Sequence, residues 1–226
     1  MFENNRTKRK MRDIMENTYK ENNFDTIMKG RRSIRNYDPT VKISREEMEQ
    51  IINDTVKAPS SVNMQPWRFT VVESDEGKAA LAPLVRFNKL QNETSAAMIV
   101  IFGDLNSFEH AEKIYGTAVE QNLMPPEVKE RQLEALSPLF EHMPTEDKKE
   151  MAIIDGALAA MNLMLVARAY GYDTNPIGGF EREKIAEALD MDKERYYPVM
   201  IVSIGKANEE GYPSYRLPAA DITTWK

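Results

Sequence analysis

The sequence predicts an α+β fold, because a few short apolar strand-like segments are scattered among many helical ones. Strands and helices do not alternate regularly, and this argues against a doubly wound parallel sheet. The chain has 226 residues, of which 42% are hydrophobic and 29% charged. This length and composition suit one sizeable domain with a packed core and argue against general disorder.

Charge and cysteine content exclude several classes of function. The formal net charge is −6, whereas a nucleic-acid-binding surface needs a positive footprint, so we expect no nucleic-acid partner. The chain has no cysteine, which excludes disulfides, thiolate metal sites and cysteine nucleophiles and fits a reducing cytoplasm. The histidines, His110 and His142, form no metal-like pair with carboxylates, so no metal site is expected.

No targeting or membrane segment is expected either. The basic N-terminus lacks a following apolar region, so it does not have the pattern of a signal peptide. The longest apolar stretch, Ile153–Ala167, is interrupted by Asp155 and Asn162 and looks too short to span a bilayer. We therefore expect a cytoplasmic protein without a membrane partner.

The first half of the chain is predicted to begin with a polar extension, residues 1–24, that is helical or frayed or forms an arm around a second subunit. Ser44 and Glu47 form a capping box at the start of the clearest helix. The elements predicted after the extension are a short helix at Asp25–Gly30, a helix at Ser44–Lys57, a strand at Phe69–Val72, a helix from Glu76 to Leu90 and a strand at Ala97–Phe102.

The second half is dominated by one long helix, predicted from Thr145 to Tyr170. It is apolar nearly all round from Met151 to Ala169 and must therefore be buried on every side, as a central helix or with help from a partner subunit. The other predicted elements are helical structure over Ser107–His142 with a break at Pro125–Pro126, a short helix at Glu181–Leu189, a strand at Pro198–Ile204 and an irregular tail to Lys226.

Four short segments carry residues suited to a ligand. Lys29–Arg35 concentrates four cations in seven residues, and arginine forks match phosphate oxygens. Pro59–Trp67 carries amide and hydroxyl side chains that suit a flat heterocycle. Pro176–Phe180 has paired glycines that let backbone amides approach a ligand, and Arg216 precedes Leu217 and Pro218. Taken singly, these segments also fit a solvated turn, a connection, a tight turn and a surface charge.

The order and spacing of the four segments resemble the FMN-dependent nitroreductase family over residues 25–226. The matching motifs are Arg-Arg-Ser-x-Arg at Arg31–Arg35, Pro-Ser-Ser-x-Asn-x-Gln-Pro-Trp at Pro59–Trp67, Pro-Ile-x-Gly-Phe at Pro176–Phe180 and Arg-Leu-Pro at Arg216–Pro218. The resemblance implies a single FMN-binding domain over 25–226. It also implies a central, mostly antiparallel sheet surrounded by helices, a long buried central helix and an intertwined dimer.

The resemblance further implies a cofactor site between two subunits. Arg31, Ser33 and Arg216 would hold the phosphate and ribityl chain, and Arg35 would lie near the N1–C2 edge of the flavin. The glycine pair would offer amides to N5 and O4, and the Pro59–Asn63 segment would come from the partner subunit. The full set of implied cofactor-binding residues is Arg31, Arg32, Ser33, Arg35, Pro59, Ser60, Ser61, Asn63, Gln65, Asn88, Pro176, Ile177, Gly178, Gly179 and Arg216.

The implied activity is that of an oxidoreductase with FMN as cofactor and NADPH or NADH as electron donor. It would reduce nitroaromatic or quinone-like acceptors by ping-pong hydride transfer through flavin N5, with no catalytic side chain. Two alternatives stay open: a different chemistry on the same fold, such as dehalogenation or ring oxidation, and a flavin-binding redox sensor. Ser214 and Gln91 stand where some family members carry lysine, which leaves the phosphate affinity and the preferred donor open.

Overall fold

The computed structural model describes residues 19–226. Residues 1–18, which hold most of the predicted polar extension, lie outside the described residues. The end of that extension packs against the long helix, because the backbone N–H groups of Lys20 and Glu21 donate to the carbonyl of Ala169 at 2.7 and 3.1 Å.

The sheet has four strands in the order β1-β2-β4-β3, and each neighbouring pair is antiparallel. This confirms the predicted α+β class and its antiparallel sheet. All eight residues of β2 are buried, so this strand forms the centre of the fold. The strands are β1 (Trp67–Val72), β2 (Ala97–Asp104), β3 (Asp173–Ile177) and β4 (Tyr196–Gly205).

Helices cover both faces of the sheet. Alternate β2 residues point to opposite faces: Ile99 and Ile101 pack in the core with α2 and α7, while Met98 and Val100 pack in the core with α3 and α8. The Ser44 Oγ accepts from the Glu47 N–H at 3.1 Å, as the capping box predicts. In residues 19–226 the helices are α1 (Phe24–Gly30), α2 (Arg45–Thr55), α3 (Asp75–Leu81), α4 (Lys89–Thr94), α5 (Ala111–Glu120), α6 (Pro126–Glu141), α7 (Thr145–Ala169), α8 (Arg182–Ala188) and α9 (Ala219–Ile222).

Two elements differ from the sequence-based prediction. The single helix predicted from Glu76 to Leu90 is two helices, α3 and α4, joined by short 3-10 turns, because Pro83 cannot donate to a helical hydrogen bond. Strand β3 was not predicted at all. Its sequence, Asp-Thr-Asn-Pro-Ile, is polar and contains proline. Proline is tolerated here because β4 is the only strand that pairs with β3 in residues 19–226, so β3 is an edge strand of the sheet.

The long central helix predicted from the sequence is α7, and within one chain it is only partly buried. Ala159, Leu163 and Ala167 lie in the core, whereas one apolar stripe faces outward. By length and composition α7 could also cross a membrane, contrary to the sequence-based expectation, but it packs on the sheet and on α2 as a core helix does. The outward stripe is formed by Ile153, Ile154, Leu158 and Met161.

Helices α5 and α6 form a smaller hydrophobic cluster outside the two sheet faces. Phe108, just before α5, stacks on Phe140 of α6 with ring centroids 4.4 Å apart. The fully buried Met64 joins this cluster from the loop that precedes β1. The pair of helices therefore rests on that loop. The break at Pro125–Pro126 is confirmed, since α6 begins at Pro126.

Candidate functional site

The arginine-rich segment runs along the free edge of β3. Ser33 forms a parallel bridge with Thr174, and the Ile34 N–H donates to the Thr174 carbonyl at 3.1 Å. The Arg35 N–H donates to Glu209 Oε1 at 2.6 Å, which ties the segment to the chain that follows β4. Residues from both ends of the chain thus meet beside one strand.

The start of this edge carries a concentration of positive charge. Burial is the main cause that lowers the pKa of Arg31, and the charges of Arg216, Arg32 and Arg168 lower it further. Arg168 is paired with Asp173, but within residues 19–226 neither Arg31 nor Arg216 has a carboxylate within 4.0 Å. Such mutual repulsion is relieved by an anion, and guanidinium groups are well matched to phosphate.

The other end of β3 is followed directly by the glycine pair. Gly178 and Gly179 are exposed, and a Cβ added to either would meet no atom within 4 Å. Among the described residues, their backbone N–H groups donate to no acceptor. Asn88 Nδ2 approaches the Gly179 carbonyl at 3.5 Å, so the predicted Asn88 lies at the same place. The preceding Ile177 points into the core and is 2% exposed, so only its backbone faces this opening.

The Pro59–Trp67 segment has an unusual backbone. Val62, Asn63 and Gln65 have φ values of 44°, 60° and 49°, a left-handed region that is costly for a β-branched residue such as Val62. The Gln65 N–H donates to Ser60 Oγ at 3.0 Å and closes the loop on itself. Strained conformations of this kind persist only where the surroundings impose them, and they are common at ligand sites.

Two buried side chains that the sequence interpretation missed hold this loop. Asp155 on α7 is 1% exposed and accepts from both the N–H and the Oγ of Ser61 at 3.1 Å. Burial raises the pKa of the Asp155 carboxyl, although the hydrogen bonds from Ser61 oppose the rise. The Tyr115 hydroxyl on α5 donates to the Val62 carbonyl at 2.7 Å. The only signal available in the sequence was a lone carboxylate inside an apolar helix, which would otherwise be costly to bury.

The predicted site residues fall into two groups at opposite edges of the sheet. The loop that precedes β1 and the glycines that follow β3 lie at the same end, because Trp67 pairs with Gly103 while β3 runs antiparallel to β4. The two outer strands are separated by β2 and β4, or about 14 Å at a spacing of about 4.8 Å. One chain therefore brings together Arg31–Arg35, Asn88, Pro176–Gly179 and Arg216, but not the Pro59–Gln65 group.

Comparison with known proteins decides the family. The sequence profile of the Nitroreductase family matches residues 28–206. The chain belongs to the Nitroreductase family. YdgI of Bacillus subtilis (strain 168), a protein named as an NAD(P)H nitroreductase, is 58% identical over 207 residues, which cover 92% of this chain and 99% of YdgI. Since the family is one of oxidoreductases, this nitroreductase-family chain is an enzyme of that class.

Solved structures agree with the family assignment. A protein from Exiguobacterium sibiricum 255-15, described as a nitroreductase and crystallised with FMN, has a TM-score of 0.90 and 58% identity, with 92% of this chain and 100% of that chain covered. CLA-ER, an enone reductase of gut-bacterial fatty acid saturation metabolism, has a TM-score of 0.83 and 35% identity, with 91% and 98% covered. The nitroreductase fold is therefore shared over nearly the whole described chain.

Proposed function

We propose that this protein is an FMN-dependent reductase that takes electrons from NADPH or NADH and delivers them to nitroaromatic or quinone-like acceptors. The observation that carries the proposal is the edge of β3. Arginines without a carboxylate partner in residues 19–226 lie at one end of it and two open glycines at the other, which suits an anion joined to a flat polar ring. The FMN in the E. sibiricum structure and the name of YdgI support it. The absence of cysteine fits a cytoplasmic location.

The residues present fit FMN chemically. Arg31, Arg32 and Arg216 would neutralise the phosphate, and Ser33 would add a donor for the phosphate or ribityl chain. The free N–H groups of Gly178 and Gly179 would donate to the polar edge of the ring without a Cβ in the way. Arg35 would place a positive charge at the N1–C2 edge, where electron density accumulates. When bound, FMN would supply hydride transfer at N5, so no side-chain nucleophile is required.

A homodimer would complete this site. The Pro59–Gln65 loop precedes β1, which is about 14 Å from β3 within one chain, so a second copy would supply the loop to the same flavin. Two uncovered surfaces support an intertwined dimer: the apolar stripe of α7, and the segment 213–226, of which every residue is exposed. Exposed apolar side chains that are grouped in this way are typical of subunit interfaces.

The cofactor test is a titration of the purified protein with FMN, followed by anaerobic addition of NADPH or NADH. We expect a yellow protein that is bleached by a nicotinamide and recoloured by nitrofurazone or a quinone. A colourless protein that takes up no FMN would refute the proposal. Binding without bleaching would instead favour a redox sensor, and turnover of halogenated phenols alone would favour dehalogenation.

The dimer test is sedimentation of Leu158→Glu beside Ala79→Glu. Leu158 lies on the outward stripe of α7, so an added charge should dissociate the dimer there. Ala79 is exposed on α3, away from the stripe, and receives the same charge. Two equally dimeric variants, or a wild-type holo-monomer, would contradict the proposed interface.

Enone reduction is a second candidate function. It is favoured by the similarity to CLA-ER, which covers 91% of this chain at 35% identity. The same reduced protein should then be reoxidised by 2-cyclohexen-1-one, with the loss of its conjugated double bond measured by ultraviolet absorbance. Reoxidation by nitrofurazone but not by the enone would exclude this candidate.

A further inference from the structure

A cavity of about 540 Å³ opens between the Asn63–Gln65 segment and one face of α5. Four residues of the α5 wall recur at helical spacing: His110, Lys113, Thr117 and Gln121. The cavity is therefore built by two elements, the strained loop and a regular helix. Because Asn63 belongs to the loop proposed to line the flavin, a molecule in this cavity would lie beside the cofactor of a neighbouring active site.

One part of the cavity is apolar. Met64, Ile114, Ala118 and Leu123 contribute to its lining. Met64 is fully buried in the α5–α6 cluster, so this wall is anchored to the core of the chain. A wall of this kind favours an apolar or aromatic body over a free sugar or a small ion.

The cavity also carries two cations, Arg68 and Lys113, and is lined by His110 beside them. The buried Asp104 lies against Arg68 and His110. Asp104 accepts from Arg68 Nη2 at 2.8 Å and from Arg195 Nε at 2.9 Å, while His110 Nε2 is 3.7 Å away. The single carboxylate is thus already shared by two guanidinium groups.

Lys113 is the cation that remains available. The Nη1 of Arg68 already donates to the carbonyls of Gln65 and Trp67, both at 2.9 Å. Arg68 therefore acts on a ligand mainly through its electrostatic field. Within residues 19–226, Lys113 has no carboxylate within 4.0 Å, whereas its neighbour Glu112 is paired with Lys129. An ammonium group next to an apolar wall is matched by an amphipathic organic anion.

We infer that this cavity selects acceptors that carry a carboxylate, which Lys113 binds while the apolar body of the acceptor lies along Ile114 and Ala118. The inference rests on the proposed function, because it names the substrate class of that reaction. A carboxylate is favoured over a phosphate of the nicotinamide donor, since one ammonium suits a monoanion and phosphate recognition favours the bidentate forks of arginine.

The test compares 4-nitrobenzoate with 4-nitrobenzamide, which has nearly the same shape and the same nitro group but no charge. The readout is the ratio of kcat/KM for the carboxylate to that for the amide. Lys113→Gln should lower this ratio about tenfold, the size expected for one charge-assisted hydrogen bond, and Lys113→Glu should lower it further. The control is Lys57→Gln, an exposed lysine on the chain after α2, which should leave the ratio at its wild-type value.

Each other outcome has a definite meaning. If both compounds are reduced and Lys113→Gln leaves the ratio unchanged, the inference is overturned and the proposed function stands. If Lys113→Gln instead raises KM for NADPH but not for NADH, the cavity binds the donor phosphate and the inference is again overturned. If neither compound is reduced, the proposed function is judged separately, by the FMN titration and the reoxidation with nitrofurazone or a quinone. Equilibrium dialysis of 4-nitrobenzoate then decides the carboxylate site. Weaker binding to Lys113→Gln than to wild type supports the inference, and equal or absent binding overturns it.

Discussion

The Pro59–Trp67 loop and the C-terminal segment 213–226 both carry predicted site residues, but they are held in opposite ways. The loop is strained at three residues, yet Asp155 and Tyr115 fix it from two helices and Met64 anchors it in the core. Every residue of the C-terminal segment is exposed, and within residues 19–226 Arg216 donates only to the carbonyl of its neighbour Tyr215, at 3.0 Å.

This difference indicates which parts of the site one chain can determine alone. The loop is held within one chain, because buried hydrogen bonds from Asp155 and Tyr115 balance its strain. The C-terminal segment buries none of its residues, so we expect its conformation to be stabilised by something that it binds. The proposed FMN phosphate and a second subunit are the two candidates for that role.

Deletion of residues 213–226 should have the largest effect on the cofactor. The variant loses Arg216 and one of the two uncovered surfaces that support the proposed dimer, so FMN affinity should fall by more than about a hundredfold. The far-UV circular dichroism and the cooperativity of urea unfolding should be retained, because these residues add nothing to the core. An unfolded variant, or one that binds FMN normally, would show that the segment belongs to the fold and not to the site.

Arg31→Ala should weaken FMN binding by about tenfold to a hundredfold. A charge-assisted hydrogen bond to phosphate is worth about 1.5–3 kcal/mol. The charged groups that act on Arg31 are other arginines, so the phosphate would be its anionic partner. Quenching of FMN fluorescence measures the affinity. Arg45→Ala, which removes an exposed arginine from α2, is the matched control and should bind as wild type does. If Arg31→Ala bound FMN with unchanged affinity, the phosphate would not lie at this edge of β3.

Asp155→Ala should lower the free energy of unfolding by about 1–3 kcal/mol. The substitution leaves the N–H and Oγ of Ser61 without their acceptor beside a loop that is already strained. Urea unfolding of the apo protein gives the value. Glu150→Ala, at an exposed position of the same helix, should change it by less than about 0.5 kcal/mol. Equal losses in the two variants would mean that Asp155 does not hold the loop.

Tyr115→Phe should cost about 0.5–1.5 kcal/mol, because only the hydrogen bond to the Val62 carbonyl is removed and the buried ring remains. The same substitution at the exposed Tyr212 serves as its counterpart next to the C-terminal segment and should have no measurable effect on unfolding. The comparison between the two regions would be weakened if Tyr212→Phe proved the more destabilising change.

The smallest effect concerns the pH dependence of stability. Because burial raises the pKa of Asp155 above its ordinary value of 3.8, the folded chain binds this proton at a higher pH than the unfolded chain does. The contribution of Asp155 to stability is therefore greatest below pH 3.8 and declines as the pH rises through the folded pKa. The stability of wild type relative to Asp155→Asn should fall over that window and stay level above it, and a difference that rises with pH would contradict the assignment.

Much of the fold could be predicted from local sequence. The capping box at Ser44, the apolar runs of β2 and β4 and the length of α7 each carry their own signal, and the structure confirms them. Strand β3 had no such signal, because its polar sequence becomes a strand only through hydrogen bonds to β4. The break at Pro83 could have been predicted from the proline itself, but the helical spacing on either side of it masked the signal.

The sequence by itself determined the fold class, the family motifs and the residue types of the candidate site. The tertiary structure alone decided that Arg31 and Arg216 share one edge of β3, that the Pro59–Gln65 loop lies across the sheet from it, and that Asp155 supports that loop. The physical reason is range. Propensity and periodicity act over a few neighbouring residues, whereas charges and buried hydrogen bonds link residues that are 94 or more positions apart, as Ser61 and Asp155 are.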